Sequence, residues 1–353
     1  MKAADQFKIK TFAVLSVLSL VLYIIGYSDI TVERVYSGGL YQLTSVIQRL
    51  VSSLFPFAIG DFLYLILILY VLYSLWRVYK RRKILRKTDA VRLPLQAVNF
   101  CLVLYVLFKL LWGLNYSRPQ VATQLGISNE KYTTQQLVAL GRFYIRKLNS
   151  LQNIPKKNYE LKELRQTAKA GYDALAQKHS FFTYKSPAVK PVLFSWFITK
   201  IGIEGYYNPL SGEANVNMRL PSTELPFVTC HEIAHQLGVG REDEANLIGY
   251  LVASNSPNQN FQYAAAYAVL KNILFEIRIK SQEDYDALYE TINPRTVADF
   301  KADRDFWRKY NNQMFGYLDV AFDQFLKLNN QSKGTDSYQD IVLWLYNIHK
   351  KDL

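Results

Sequence analysis

Phe62-Leu-Tyr-Leu-Ile-Leu-Ile-Leu-Tyr-Val-Leu-Tyr73 has no polar face at any helical pitch. A helix that is apolar all round must be buried in a large core or in lipid. The surrounding run, Phe55 to Trp76, has close to the roughly 20 residues needed to cross the hydrocarbon of a bilayer. Two further runs of that kind flank it, Thr11 to Tyr27 and Leu95 to Leu114. Residues 1–114 therefore read as a membrane anchor with three transmembrane helices, and the lipid bilayer as the first partner. No small-x-small cleavage site follows the first run, so an uncleaved anchor is expected.

Basic residues in short loops set orientation. Arg77 to Arg92 holds eight basic residues and one acid, Asp89, and the N-terminus carries Lys2, Lys8 and Lys10 against Asp5. With three crossings both segments face the same side, expected to be the cytoplasm. Everything after Leu114 is then extracytoplasmic. Asp61 and Lys109 fall at the outer ends of their spans, where they can reach the interface. They offer no polar pathway, which argues against a transporter or channel.

The chain of 353 residues is half hydrophobic, which excludes a disordered tail and a disulfide miniprotein. Its two cysteines, Cys101 and Cys230, cannot build a disulfide framework or a four-cysteine zinc knuckle. The net charge of +13 lies mostly in the 77–92 loop; residues 115–353 hold 28 basic and 24 acidic residues without a basic block. Nucleic acid is therefore not an expected partner.

Apolar spacing in residues 115–353 is mainly helical. Helices are expected from about Thr133 (with Leu137, Leu140, Tyr144, Leu148 and Leu151 on one face), and over Leu161 to Lys178, Thr223 to Leu237, Glu242 to Ser254, Asn260 to Ser281, Pro294 to Asn311, Gly316 to Asn329 and Tyr338 to Lys350. Between Pro191 and Met218, glycines and Pro209 punctuate short β-prone pieces, the clearest being Glu213-Ala-Asn-Val-Asn217. The expectation is a mainly α domain with a small sheet.

His231-Glu232-Ile-Ala-His235 carries the chemistry. Positions i and i+4 share a helix face, so two imidazoles can hold one Zn2+, while Glu232 reaches the water that the metal would activate. Glu232 is then the general base, passing a proton from water to the leaving amine. Two of the chain's four histidines sit here. Pro221-Ser-Thr223 is a plausible cap, Pro226 fits a first turn, and Gly238 is a natural stop. Cys230 is turned about 100° from His231 and reads as packing. A catalytic zinc takes a third protein ligand and keeps one position open. His179, His349, Glu242 and Glu244 are available.

The arrangement resembles the gluzincin metallopeptidases, whose third ligand is a glutamate heading a second helix, with a polar residue four positions later. That resemblance implies a zincin-like domain, Glu242 as metal ligand in preference to Glu244, and Asn246 as the partner of a ligand histidine. It departs from the clan in using asparagine there and in its short six-residue link from His235 to Glu242. Gly238 suggests the metzincins, but their third ligand position holds Arg241, which cannot bind zinc.

Closer still is the likeness to an uncharacterised family of bacterial membrane proteins, domain of unknown function 3810. It is carried by Trp112-Gly-Leu-Asn-Tyr-Ser-Arg-Pro119, Gly212-Glu-Ala-Asn-Val-Asn217, Leu225-Pro-Phe227, His231-Glu-Ile-Ala-His-Gln236, Arg241-Glu-Asp-Glu-Ala-Asn246 and Leu326-Lys-Leu-Asn with Gly334 and Ser337-Tyr338. The likeness implies the bacterial cytoplasmic (inner) membrane and a domain similar to zinc peptidases, and it names no substrate. The expected function is a zinc-dependent hydrolase, a metallopeptidase acting on peptides or proteins of the cell envelope. The alternative is a zinc-stabilised binding or sensing module, with a fourth ligand such as His179 closing the metal. On zincin analogy Glu213 to Asn217 is an edge strand that pairs with substrate, Asn215 and Asn217 orient it, and Tyr206, Tyr207, Tyr263 or Tyr267 steadies the oxyanion. Tyr263 is also a candidate substrate-binding residue.

Overall fold

Thr133 opens helix Thr134–Ser150 with a reciprocal cap: its Oγ1 accepts the Gln136 N–H at 3.3 Å, and Gln136 Oε1 accepts the Thr133 N–H at 2.8 Å. The expected face of that helix is the buried one, with Leu137, Leu140, Tyr144 and Leu148 inaccessible. The structure, a computed structural model, describes residues 3–310, 324, 327 and 340–353. The expected helix Gly316 to Asn329 (save Gln324 and Lys327) and the motif residues Leu326, Gly334, Ser337 and Tyr338 lie outside the described residues.

The chain is mainly helical with one small sheet. Three helices, Ala3–Ile25, Ile59–Arg81 and Asp89–Leu111, contain stretches long and apolar enough to cross a membrane. At most 11% of each stretch is buried within the protein. The second and third start and end nearer the basic loop than the apolar runs suggest, because basic residues extend a helix while their charges reach water. Pro94 lies inside the third helix, past its first turn, and removes the bond that an N–H there would make to the Ala90 carbonyl.

In the rest of the chain, helices Leu161–Ala176, Leu225–Gln236, Glu242–Ser254, Gln259–Lys280, Pro294–Tyr310 and Asp340–His349 agree with the periodic pattern. Gln282–Tyr289 is an additional short helix, capped where Ser281 Oγ accepts the Asp284 N–H at 3.2 Å. The Leu225–Gln236 helix begins later than Thr223 and has no side-chain cap, since Glu224, the residue before it, accepts from Lys271 at 2.5 Å instead.

β1 (Val189–Pro191), β2 (Gly205–Asn208) and β3 (Glu213–Val216) form a sheet in the order β1-β3-β2. β3 pairs in parallel with β1 (Lys190 opposite Asn215) and antiparallel with β2 (Tyr206 opposite Asn215). This corrects the edge-strand expectation for Glu213 to Asn217: β3 is central, its backbone bonded on both sides. The two sheet edges belong to β1 and β2.

The segment between the first two long helices is more than a loop. A wide, π-type helix, Val32–Leu40, runs into Tyr41–Ser53, and the pair packs against the chain that follows the third long helix. Glu213 in turn caps the second long helix, its carboxylate accepting the Ile59 and Gly60 N–H groups at 3.1 and 2.9 Å. Asp61 is buried and accepts from the Leu193 N–H at 2.9 Å and from the Tyr206 hydroxyl, so its role is structural.

Candidate metal centre

The Leu225–Gln236 helix is buried on nearly all sides, with Val228, Cys230, Ile233 and Ala234 in the core. Its end follows from Gly238, whose φ of +81° lets the chain reverse. The Gly238 N–H bonds to the His235 carbonyl at 3.0 Å and the Val239 N–H to the Ala234 carbonyl at 3.2 Å, a Schellman stop. That reversal brings the Val239 carbonyl to 2.7 Å from His235 Nδ1.

The next helix, Glu242–Ser254, presents Glu242, Asn246 and Gly249 on one face, and that face meets His231. A Cβ on Gly249 would lie 3.2 Å from the His231 nitrogen, so glycine permits the close approach. Asn246 Oδ1 lies 2.9 Å from His231 Nδ1. With both Nδ1–H groups donating, to Asn246 and to Val239, both Nε2 lone pairs point into one space. They are 3.2 Å apart; Glu242 Oε2 is 3.3 Å from the first and Oε1 3.7 Å from the second.

Two facing lone pairs beside a carboxylate repel unless a cation sits among them. Tetrahedral ligands ~2.0–2.1 Å from a shared zinc ion lie about 3.3–3.4 Å from one another; the two ring nitrogens are near that spacing, and Glu242 approaches it with a different oxygen toward each ring. Among the described residues His231, His235 and Glu242 are the trio so arranged. Glu244 is engaged elsewhere, its Oε1 accepting the Val121 N–H at 2.8 Å. His179 accepts from Phe181 N–H, and His349 bonds Tyr250, so neither joins the cluster.

Glu232 is 3% exposed, and its Oε2 has no hydrogen-bond partner among the described residues. Burial pushes its carboxyl up to about 7, against the two imidazoles that pull it down. Burial opposes ionisation of Glu242 as well, yet the imidazoles hold it well below the usual carboxylate range. Despite its own burial, His235 is raised to about 9 by Glu242. The trio is thus electrostatically prepared for positive charge.

The remaining candidates are not gathered here. Strand alternation puts Gly205, Tyr207, Ala214 and Val216 on the sheet face toward the motif helix; a Cβ on Gly205 would lie 2.5 Å from Glu232 Oε1. Asn215 and Asn217 belong to the opposite face. Asn217 is absorbed in a turn, donating to Thr199 Oγ1 and the Ile203 carbonyl, while both side-chain polar atoms of Asn215 lack partners among the described residues. Neither is placed to orient a substrate at the trio. Tyr263 is buried with its hydroxyl on Asp299 at 2.7 Å, Tyr206 is tied to Asp61, and Tyr207 meets Tyr41. These hydroxyls are committed to the fold, whereas that of Tyr267 is buried without a hydrogen-bond partner among the described residues.

Sequence reasoning missed the support for the motif helix. Its C-terminal carbonyls receive side chains from the N-terminal third of the chain and from Arg118. Tyr41 Oη is 3.2 and 3.1 Å from the His235 and Gln236 carbonyl oxygens, Arg49 Nη1 2.7 Å from that of Gln236, and Trp112 Nε1 3.2 Å from that of His235. Arg118 donates to the Leu237 and Gly238 carbonyls while its other nitrogens grip Glu33 at 2.7 and 2.9 Å. Gln236 ties the helix to the sheet through the Ala188 and Gly212 carbonyls. Its presence in His-Glu-Ile-Ala-His-Gln, and the Trp112 and Arg118 ends of another shared motif, were the available signals.

No curated protein and no solved structure matches the chain. A family model spans residues 36–346, from the helix beneath the motif's C-terminus through both ligand helices. The chain therefore belongs to the family described as protein of unknown function (DUF3810).

Proposed function

We propose that this protein is a membrane-anchored, zinc-dependent hydrolase, a metallopeptidase in the manner of the gluzincins. The observation that carries the reading is the convergence of three ligand side chains beside a buried Glu232 oxygen that has no hydrogen-bond partner among the described residues. His231, His235 and Glu242 hold the Zn2+, with Asn246 and the Val239 carbonyl fixing the two rings. A zinc ion held there supplies Lewis acidity and makes water acidic enough to ionise near neutral pH. Glu232 accepts the proton from the attacking water and returns it to the leaving nitrogen; burial keeps its carboxyl near the range where it can do both.

The outer edge of β2, which is half-buried at Gly205 and Tyr206, suits an extended substrate. Asn217 N–H bonds to the Glu204 carbonyl, so in the antiparallel pattern the backbone groups of Gly205 and Tyr207 point away from β3. A peptide paired along that edge would pass the glycine that touches Glu232. The three apolar helices are taken to cross the bacterial cytoplasmic membrane with the basic loop inside and the domain outside, where envelope peptides or proteins are the substrates.

The test is Glu232→Gln in the full chain. Zinc content should be unchanged, while cleavage of envelope proteins, compared by proteomics of cells carrying wild type or variant, should be lost. Equal cleavage by both would overturn the hydrolase reading.

A further inference from the structure

The helix Tyr41–Ser53 is amphipathic in the inverse sense. Ser45, Arg49 and Ser52 are buried against the outer domain, Arg49 to 2% exposure, while Leu43, Ile47, Leu50 and Leu54 are at least half exposed in a continuous stripe. Arg49 is its only charged residue, so nothing ionic faces outward. A second apolar surface follows β1, where Trp196 and Phe197 stand about half exposed on the short helix Ser195–Lys200. The Lys200 ammonium lies over the ring of Trp196, 4.4 Å from its centroid.

Both surfaces are continuous with the ends of the apolar helices. Tyr41–Ser53 runs between the first and second of them, and Leu193 is hydrogen-bonded through its backbone to Asp61, in the first turn of the second. That bond fixes the Trp196 turn at the depth where the helix leaves water. Lysine paired with tryptophan beside exposed aromatic and aliphatic side chains is the composition of a membrane interface.

We propose that Tyr41–Ser53 and the Trp196–Phe197 turn lie in the outer lipid leaflet, seating the metal centre on the membrane surface. The buried face of the same helix holds the His235 end of the motif helix through Tyr41 and Arg49. The occupant of the apolar stripe is lipid. On the hydrolase reading, the substrates are then peptide segments held in or next to the bilayer, such as those flanking a span or a lipid anchor, in preference to freely diffusing proteins.

The lipid contact is tested without turnover. The full chain carrying Cys101→Ser, its buried Cys230 left in the core, receives one accessible cysteine by Leu43→Cys, Ile47→Cys or Trp196→Cys, with Lys301→Cys as an aqueous control; all four are exposed positions. Each is nitroxide-labelled and reconstituted into vesicles of phosphatidylcholine and phosphatidylglycerol. Power saturation should give oxygen-to-nickel-chelate accessibility ratios severalfold above the control at all three positions. Ratios equal to the control would overturn the proposal. So would dipolar broadening at position 43 that disappears on dilution with unlabelled protein, since the stripe would then cover a second copy. A catalytically dead chain would give the same accessibilities, so failure of the hydrolase reading is separable from failure of this one.

Discussion

Arg49 donates to the carbonyl of Gln236 at 2.7 Å, joining the segment between the first two apolar helices to the last residue of the metal-motif helix. The guanidinium also lies 5.8 Å from the Tyr184 ring. The bond is charge-assisted and buried, a class that contributes about 1.5–3 kcal/mol. Arg49→Met should therefore lower the stability of the full chain by roughly that amount, and Tyr41→Phe by about 1 kcal/mol. Thermal unfolding in detergent measures both; an unchanged Tm in both variants would mean that the segment merely lies against the domain.

Asn246 holds His231 in the tautomer whose Nε2 can bind metal. Loss of such a partner typically weakens metal binding by about 10–100-fold. Asn246→Ala should show that loss in competition with a chelator of known affinity, and Asn246→Asp should restore most of it. Equal affinity in all three proteins would show that the bond to His231 is incidental.

Gly205 has no room for a side chain. A methyl there would stand 2.5 Å from Glu232 Oε1 and 2.8 Å from the Asn215 carbonyl oxygen, and the second contact is backbone that cannot swing aside. Gly205→Ala should leave zinc bound but displace the base. A misplacement near 1 Å can cost roughly a hundredfold in rate. Cleavage of a fluorogenic peptide library by wild type and variant, with zinc content measured in parallel, checks this; wild-type rates in the variant would place the base elsewhere.

A metal bound only by the folded chain stabilises it, by about 4 kcal/mol at a thousandfold excess over Kd. Chelator treatment should lower the Tm of the wild type, and added Zn2+ should restore it. His231→Ala should start at the lower value and respond to neither treatment. A chelator-insensitive wild type would contradict the metal assignment.

The parts of the site legible in the sequence are those whose geometry a single helix dictates. His231 and His235, or Glu242, Asn246 and Gly249, share a face by periodicity alone. The face of a strand depends on register with its neighbours, and a slip of one residue reverses it. The zincin analogy therefore does not say which way Asn215 and Asn217 point, and in the sheet β3 turns them away from Glu232 and presents the apolar Ala214 and Val216 instead. Tyr41–Ser53 escaped notice because its apolar stripe points outward, so that its hydrophobic pattern carries no sign of the polar face docked on the domain. The Val239 carbonyl belongs to no residue type, and only Gly238, in the role of helix stop, hinted at the reversal that delivers it.

Metal analysis of the purified full chain and four variants bears most directly on the centre itself. One zinc per chain is expected in the wild type, in Glu232→Gln and in Glu244→Gln, and none or a small fraction in His235→Ala and Glu242→Gln. A wild-type chain without stoichiometric metal, or a Glu242→Gln chain that keeps it while Glu244→Gln loses it, would contradict the centre described above.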